Sequence, residues 1–95
     1  MHEKPDAPLD EELLLVARRT LARRLRELRV QRDLSQDVAA SHAGMHQTAW
    51  SRIESGVSDP RLSSLLRIQH ALSLDSLESL FGPAPSRQAL KEGGS

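Results

Sequence analysis

The sequence predicts an all-α domain of five helices. Three observations carry that prediction. Apolar residues recur at three- and four-residue steps through most of residues 13–81, no segment alternates apolar and polar residues as a half-buried strand would, and helix-start and helix-stop residues bracket each periodic stretch. With 95 residues there is room for one small domain, and a chain of this size buries only about 60–65% of its unfolded surface, which favours a compact helical core over a large substrate cavity.

Residues 1–9 hold two prolines and no apolar periodicity and are read as a disordered acidic tail. Asp10 is placed to cap a long first helix, along which Leu13, Leu14, Val16, Ala17, Leu21, Leu25 and Leu28 recur down to about Arg32. Ser35 caps the second helix and Asp37 sits at the positive end of its dipole. Ala39, Ala40 and Ala43 form one face of that helix, and Gly44 ends it in a left-handed conformation. The third helix, His46 to Ser55, carries Ala49, Trp50 and Ile53 on one side and Gln47, Thr48, Ser51 and Arg52 on the other, and Gly56 closes it. Asp59-Pro60 is a start signal for a fourth helix built on Leu62, Leu65, Leu66, Ile68, Ala71 and Leu72. Asp75 with Glu78 forms a capping-box pattern for a fifth, with Leu77, Leu80 and Phe81, ending at Gly82-Pro83. The domain therefore spans residues 10–82, and residues 83–95, rich in Pro, Gly and Ser, form a flexible C-terminal tail.

Composition narrows the possible chemistry. Cysteine is absent, which excludes disulfides, thiolate metal sites and a cysteine nucleophile and fits a reducing cytosol. No apolar run approaches the roughly 18–20 residues of a membrane span, and the acidic N-terminus is unlike a secretory signal, so the expectation is a cytoplasmic protein without membrane contact. The formal net charge is zero, but residues 1–17 carry −4 and residues 18–81 carry +3. Screening confines electrostatic attraction to a Debye length of about 8 Å, so this distribution leaves a polyanionic partner open. The histidines His2, His42, His46 and His70 lack metal-ligand spacing with acids, and no phosphate loop or nucleophile elbow occurs. No catalytic residue, metal or cofactor is expected, and the chain is not read as an enzyme.

Two short helices joined by a turn containing Gly, the second with a polar outer face, make the helix-turn-helix plan, whose second helix lies in the DNA major groove. The residues Leu25-Arg26-Glu27-Leu28-Arg29, Leu34-Ser35-Gln36, Ala40, Gly44, Ser51-Arg52-Ile53-Glu54-Ser55-Gly56, Pro60 and Leu65 resemble the phage repressor and Cro-like (Xre-type) helix-turn-helix family, without gaps from about Leu21 to Phe81. On this reading Gln47, Thr48, Ser51 and Arg52 face base edges, because Gln pairs with adenine, Arg with guanine and a Thr methyl packs on thymine. The resemblance implies backbone contacts from Gln36, from His46 at the cap of the recognition helix and from Arg61. It also implies a partly buried salt bridge between Arg29 and Glu54. In that family the first helix begins near Thr20, which leaves Asp10 to Arg19 as an N-terminal helical extension of unexplained role. Trp50 stands where a smaller aliphatic is usual, opposite the small Ala39 and Ala43, and is expected in the core. Of the seven arginines between Arg18 and Arg32, two at most are expected to reach phosphates.

These readings imply a sequence-specific, double-stranded DNA-binding transcriptional regulator of bacterial or phage origin. One recognition helix is too little against about 10⁶–10⁹ competing genomic sites, so a homodimer on an inverted repeat is expected, with half-sites about 34 Å apart. Two surfaces are candidates for the dimer contact: Leu13, Leu14 and Val16 in the extension, or Leu77, Leu80 and Phe81 in the fifth helix. The alternative is an antitoxin or protein-interaction module using the same domain, with a protein partner bound through the N- or C-terminal segment. No ligand-sensing domain is expected after Phe81.

Overall fold

The computed structural model describes residues 10–82. The two tails read from the sequence, 1–9 and 83–95, lie outside the described residues. Four α-helices follow in order, α1 Glu11–Gln31, α2 Gln36–His42, α3 Gln47–Glu54 and α4 Leu62–Ala71, and a single 3-10 turn, Leu77–Leu80, completes the architecture. There is no strand among the described residues.

The expected fifth helix is therefore one 3-10 turn. Its cap position is Ser76 and not Asp75, and no side chain closes a capping box with Glu78. Its bonds run from Ser79 N–H to Ser76 O and from Phe81 N–H to Glu78 O, the i to i+3 pattern of short helical pieces. The proline at 83 disfavours helical backbone in the residue before it, so the segment stops after one turn. The fourth helix also starts later than Asp59-Pro60 suggested. Arg61, still extended, occupies the cap position, and α4 begins at Leu62.

The start and stop signals of the first three helices act as expected. The Asp10 carboxylate accepts from the amides of Glu12 and Leu13 at 3.0 and 3.3 Å, and the Ser35 hydroxyl accepts from Val38 N–H at 3.1 Å. Gly44 and Gly56 both have positive φ, 67° and 82°. After α2, Met45 N–H reaches Ala40 O and Gly44 N–H reaches Ser41 O, and after α3, Val57 N–H reaches Arg52 O and Gly56 N–H reaches Ile53 O. These are the paired bonds of a Schellman turn, which satisfy carbonyls that a helix end would leave open. The same paired bonds close α1, around Asp33, and α4, around Ser73, although neither residue is glycine and both have φ 54°.

The core is made by Leu21, Leu25 and Leu28 of α1, Ala39 and Ala40 of α2 with Ala43 at its C-terminal cap, Trp50 and Ile53 of α3, Ile68 of α4, Leu72 after it, and Leu80. Trp50 is fully buried, as expected from the small residues on α2. The apolar stripe of α1 divides in two: burial begins at Leu21, whereas Leu13, Leu15 and Val16 project past the core and are exposed.

A left-handed backbone costs an L-residue roughly 1–2 kcal/mol, so Gly44→Ala is expected to lower the unfolding free energy by about that amount in a urea titration. A Cβ there would lie 2.9 Å from Arg67 Nη1, the mobile end of a long side chain, so adding Arg67→Ala is expected to recover little. Ser73→Gly should have the opposite sign, neutral to stabilising by up to about 1 kcal/mol after the entropic cost of glycine is set against the relieved strain.

Candidate nucleic-acid interface

The α2–turn–α3 unit is held from behind by a polar node. Arg29 of α1 donates to Glu54 of α3 from Nη2 to Oε1 at 2.7 Å and from Nε to Oε2 at 2.9 Å. The Trp50 indole N–H donates to the same carboxylate, to Oε2 at 2.7 Å. Arg29 also donates through Nη1 to the carbonyl of Leu34, at 2.7 Å, just ahead of α2. The side chains of Arg29 and Glu54 are 13% and 3% exposed, so the pair expected from the resemblance stands in a nearly dry position. Burial pushes the Glu54 carboxyl up, but the bonds from Arg29 and Trp50, a contribution from the Gln36 side chain, and the Arg29 charge outweigh it and hold the group below the usual carboxylate range. The bond to Glu54, joined by its charge and opposed by burial, pushes Arg29 up.

With Trp50 and Ile53 turned inward, the remainder of α3 is an outward surface. Gln47, Thr48 and Arg52 are exposed and Ser51 is half-buried. Ala49, expected on the core side, is exposed instead. Trp50 and Ile53 set the inward direction, and at 100° per residue Ala49 falls about 70° from its centre, on the flank. This methyl-bearing position belongs to the outward surface and was missed because alanine was counted as apolar. No acidic side chain shares the surface: Glu54, the helix's one acid, is consumed by the node. His46 is at the cap position of α3, exposed, with no side-chain capping bond. Gln36 is half-buried at the start of α2, and Arg61 is exposed at the cap of α4.

Besides Arg29, two more arginines, Arg24 of α1 and Arg32 at its C-terminal cap, have internal partners, and these no residue pattern announced. Arg24 Nε donates to Ser79 O at 3.2 Å and Arg32 Nε to Leu72 O at 2.9 Å, and Arg29 is held as described. Arg19, Arg23 and Arg26 are exposed. Among the candidate self-association residues, Leu13 and Val16 are exposed, Leu14 and Leu77 half-buried, and Phe81 exposed. Leu80 is fully buried in the core, which removes it from any intermolecular surface and corrects its place among those candidates. Among the described residues no group of three or more His, Asp or Glu is placed to hold a metal ion. No helix among them is long and apolar enough to cross a membrane.

The geometry of two short helices about Gly44, with the second one's polar face outward, is matched by comparison with known proteins. A family described as the helix-turn-helix domain matches residues 20–79. The chain belongs to that helix-turn-helix family. The matched stretch is nearly the one, Leu21 to Phe81, whose residues carry the resemblance, and it leaves the first turns of α1 outside. Among solved structures, a helix-turn-helix (HTH_3 family) transcriptional regulator from Vibrio cholerae is 29% identical, with a TM-score of 0.67, over 72% of this chain and 38% of that one. The chain thus spans well under half the length of the Vibrio regulator. A hypothetical transcription factor, NHTF, from Neisseria is 26% identical, with a TM-score of 0.68, over 98% of both chains. No curated protein matches.

Within this helix-turn-helix domain the node makes an acid-dependent contribution to stability. Because the native Glu54 pKa is depressed, that contribution is complete above the unfolded-state value of about 4.3 and is lost as pH falls through the lower native value. Glu54→Gln leaves Arg29 buried without a countercharge and is expected to cost about 3–5 kcal/mol at neutral pH. In urea unfolding followed by Trp50 emission, the gap between wild type and variant should narrow below about pH 4. A gap that stays constant into acid would show that the carboxylate is not paired.

Proposed function

We propose that this chain is a sequence-specific, double-stranded DNA-binding transcriptional regulator that inserts α3 into the major groove. The observation that carries the reading is the acid-free outward face of α3, Gln47, Thr48 and Arg52, on a helix-turn-helix unit whose inner side is held by Glu54. Gln47 and Thr48 stand at the leading end of α3, which in this motif enters the groove deepest, and Ser51 and Arg52 follow one turn later. Gln47 reads adenine, Arg52 reads guanine and the Thr48 methyl packs on thymine, with the exposed Ala49 methyl adding apolar contact of the same kind.

His46 and the first turn of α3 supply phosphate contact, supported by the absence of a side-chain cap on amides at the positive end of the helix. Gln36 and Arg61 flank that contact. The protein acts as a homodimer in the bacterial or phage cytoplasm, since a single α3 covers too few base pairs to be selective. Its chemistry is recognition and not catalysis.

The test is selection of sites from random duplex DNA by the purified chain at about 150 mM salt, near physiological screening. An inverted repeat is expected. Gln47→Ala and Arg52→Ala should each relax preference at particular positions by about 1–3 kcal/mol, whereas Arg61→Ala should weaken binding evenly across sequences and flatten the salt dependence. A folded protein that enriches no sequence would overturn the proposal in favour of a protein-interaction module.

A further inference from the structure

The N-terminal turns of α1 lie outside the matched family segment and project past the core, and the DNA reading makes no use of their outer face. Glu12, Val16, Arg19 and Arg23 follow one another at steps of four, three and four residues, so they share one face of the helix. All four are exposed, as are Leu13 and Leu15 on the flanks, with Leu13 at 60% and Val16 at 54%. The stripe is acidic at its N-terminal end, aliphatic in the middle and basic at its C-terminal end.

Such a surface is its own complement after a half-turn rotation, the property a two-fold interface demands. Val16 lies four residues after Glu12 and three before Arg19. Two antiparallel copies crossing at Val16 therefore bring each Glu12 within about 1.5 Å of axial height of the partner's Arg19. Arg23 continues the positive charge one turn further. The 3-10 turn offers less to a second copy, because Leu80 is buried and Phe81 is its one exposed large apolar side chain. Phe81 instead lies with Leu14, Ala17 and Leu65 in a cleft of about 110 Å³ on the inner side of the extension, the face of α1 opposite the stripe.

We propose that two copies of this chain associate through the outer face of the α1 extension, antiparallel about Val16, with Glu12–Arg19 ion pairs at both ends. The inference deepens the homodimer reading above and rests on it. Two short helix faces bury less than the roughly 1,200 Å² of a standard interface, so association is weak and concentration-dependent. The ion pairs set register and orientation more than affinity.

The experiment is sedimentation equilibrium of the full chain without DNA, across micromolar concentrations, for wild type, Glu12→Arg, Arg19→Glu and the double variant. These side chains are exposed, so the fold, checked by circular dichroism, should persist. Wild type is expected to pass from monomer to dimer. Each single reversal places like charges across the axis and should weaken association about tenfold or more, and the double variant should restore it because the pairs re-form with exchanged signs. Val16→Glu should abolish it. A wild-type mass that remains monomeric, or a dimer indifferent to the single reversals, or a double variant no better than either single, overturns the proposal. Failure of the DNA reading is separable, since site selection is scored independently and Gln47→Ala should leave the mass unchanged.

Discussion

Glu54 accepts hydrogen bonds from two directions at once, from the guanidinium of Arg29 on α1 and from the indole of Trp50 one turn earlier on its own helix. A carboxylate with this little solvent has a large desolvation cost, and only directional, charge-assisted donors offset it. Those donors are fixed in turn: Arg29 by its place on α1 and its bond to Leu34 O, Trp50 by complete burial. The rotation of α3 about its axis is thereby determined, because turning it would pull Glu54 from Arg29 and Trp50 from the core together. The face carrying Gln47, Thr48 and Arg52 points outward as a geometric consequence. Buried pairs of this kind contribute little net stability compared with apolar packing of the same volume. What this one contributes is a single arrangement of three segments.

That arrangement matters because the two helices of the motif are too short to persist alone. At seven and eight residues they fall below the roughly 12–15 at which isolated helices become even marginal. Packing has to hold them, and the small face of α2 admits the one large aromatic of α3 into the core. Their ends must also consume carbonyls that no further turn will satisfy. All four helices solve this in the same way, with a left-handed residue and paired return bonds, and two of them do so without glycine. The strain at Asp33 and Ser73 is sustained by the helices on either side, which are anchored by Leu28, Leu34, Leu72 and Leu74 in or against the core.

Most of this was legible in the sequence where one residue does one job. Ser35, Gly44 and Gly56 mark their boundaries by local chemistry alone, and Trp50 was assigned inward because the neighbouring faces were too small to fill a core. What could not be read were features set by tertiary context. A capping box at Asp75 is a local preference, and the closeness of Gly82-Pro83 leaves room for one turn only. Ala49 lies on the flank and not on the core side that its apolar character predicts, because alanine is indifferent to exposure. The Trp50–Glu54 bond had a visible signal, the four-residue spacing that puts two side chains on adjacent turns. The arginine bonds to Ser79 O and Leu72 O had none, since a backbone acceptor far along the chain leaves no mark in the residues.

Those arginine bonds change how the charge of the molecule is to be counted. A formal sum of zero treats every guanidinium alike, but Arg24, Arg29 and Arg32 have acceptors inside the fold and serve as struts between α1 and the segments packed on it. Their charge is local and largely committed. The exposed cations fall into separate groups, Arg52 on α3, Arg61 and Arg67 at the start of and along α4, and Arg19, Arg23 and Arg26 along the outer side of α1. The exposed acids Glu11 and Glu12 gather at the start of α1, where they also favour the positive end of its dipole. Because screening limits each group to its own neighbourhood, a neutral chain presents a cationic surface at α3 and the start of α4 and a surface of mixed sign along the outer side of α1. The charge sum records neither, and the difference lies in which arginines the fold has already used.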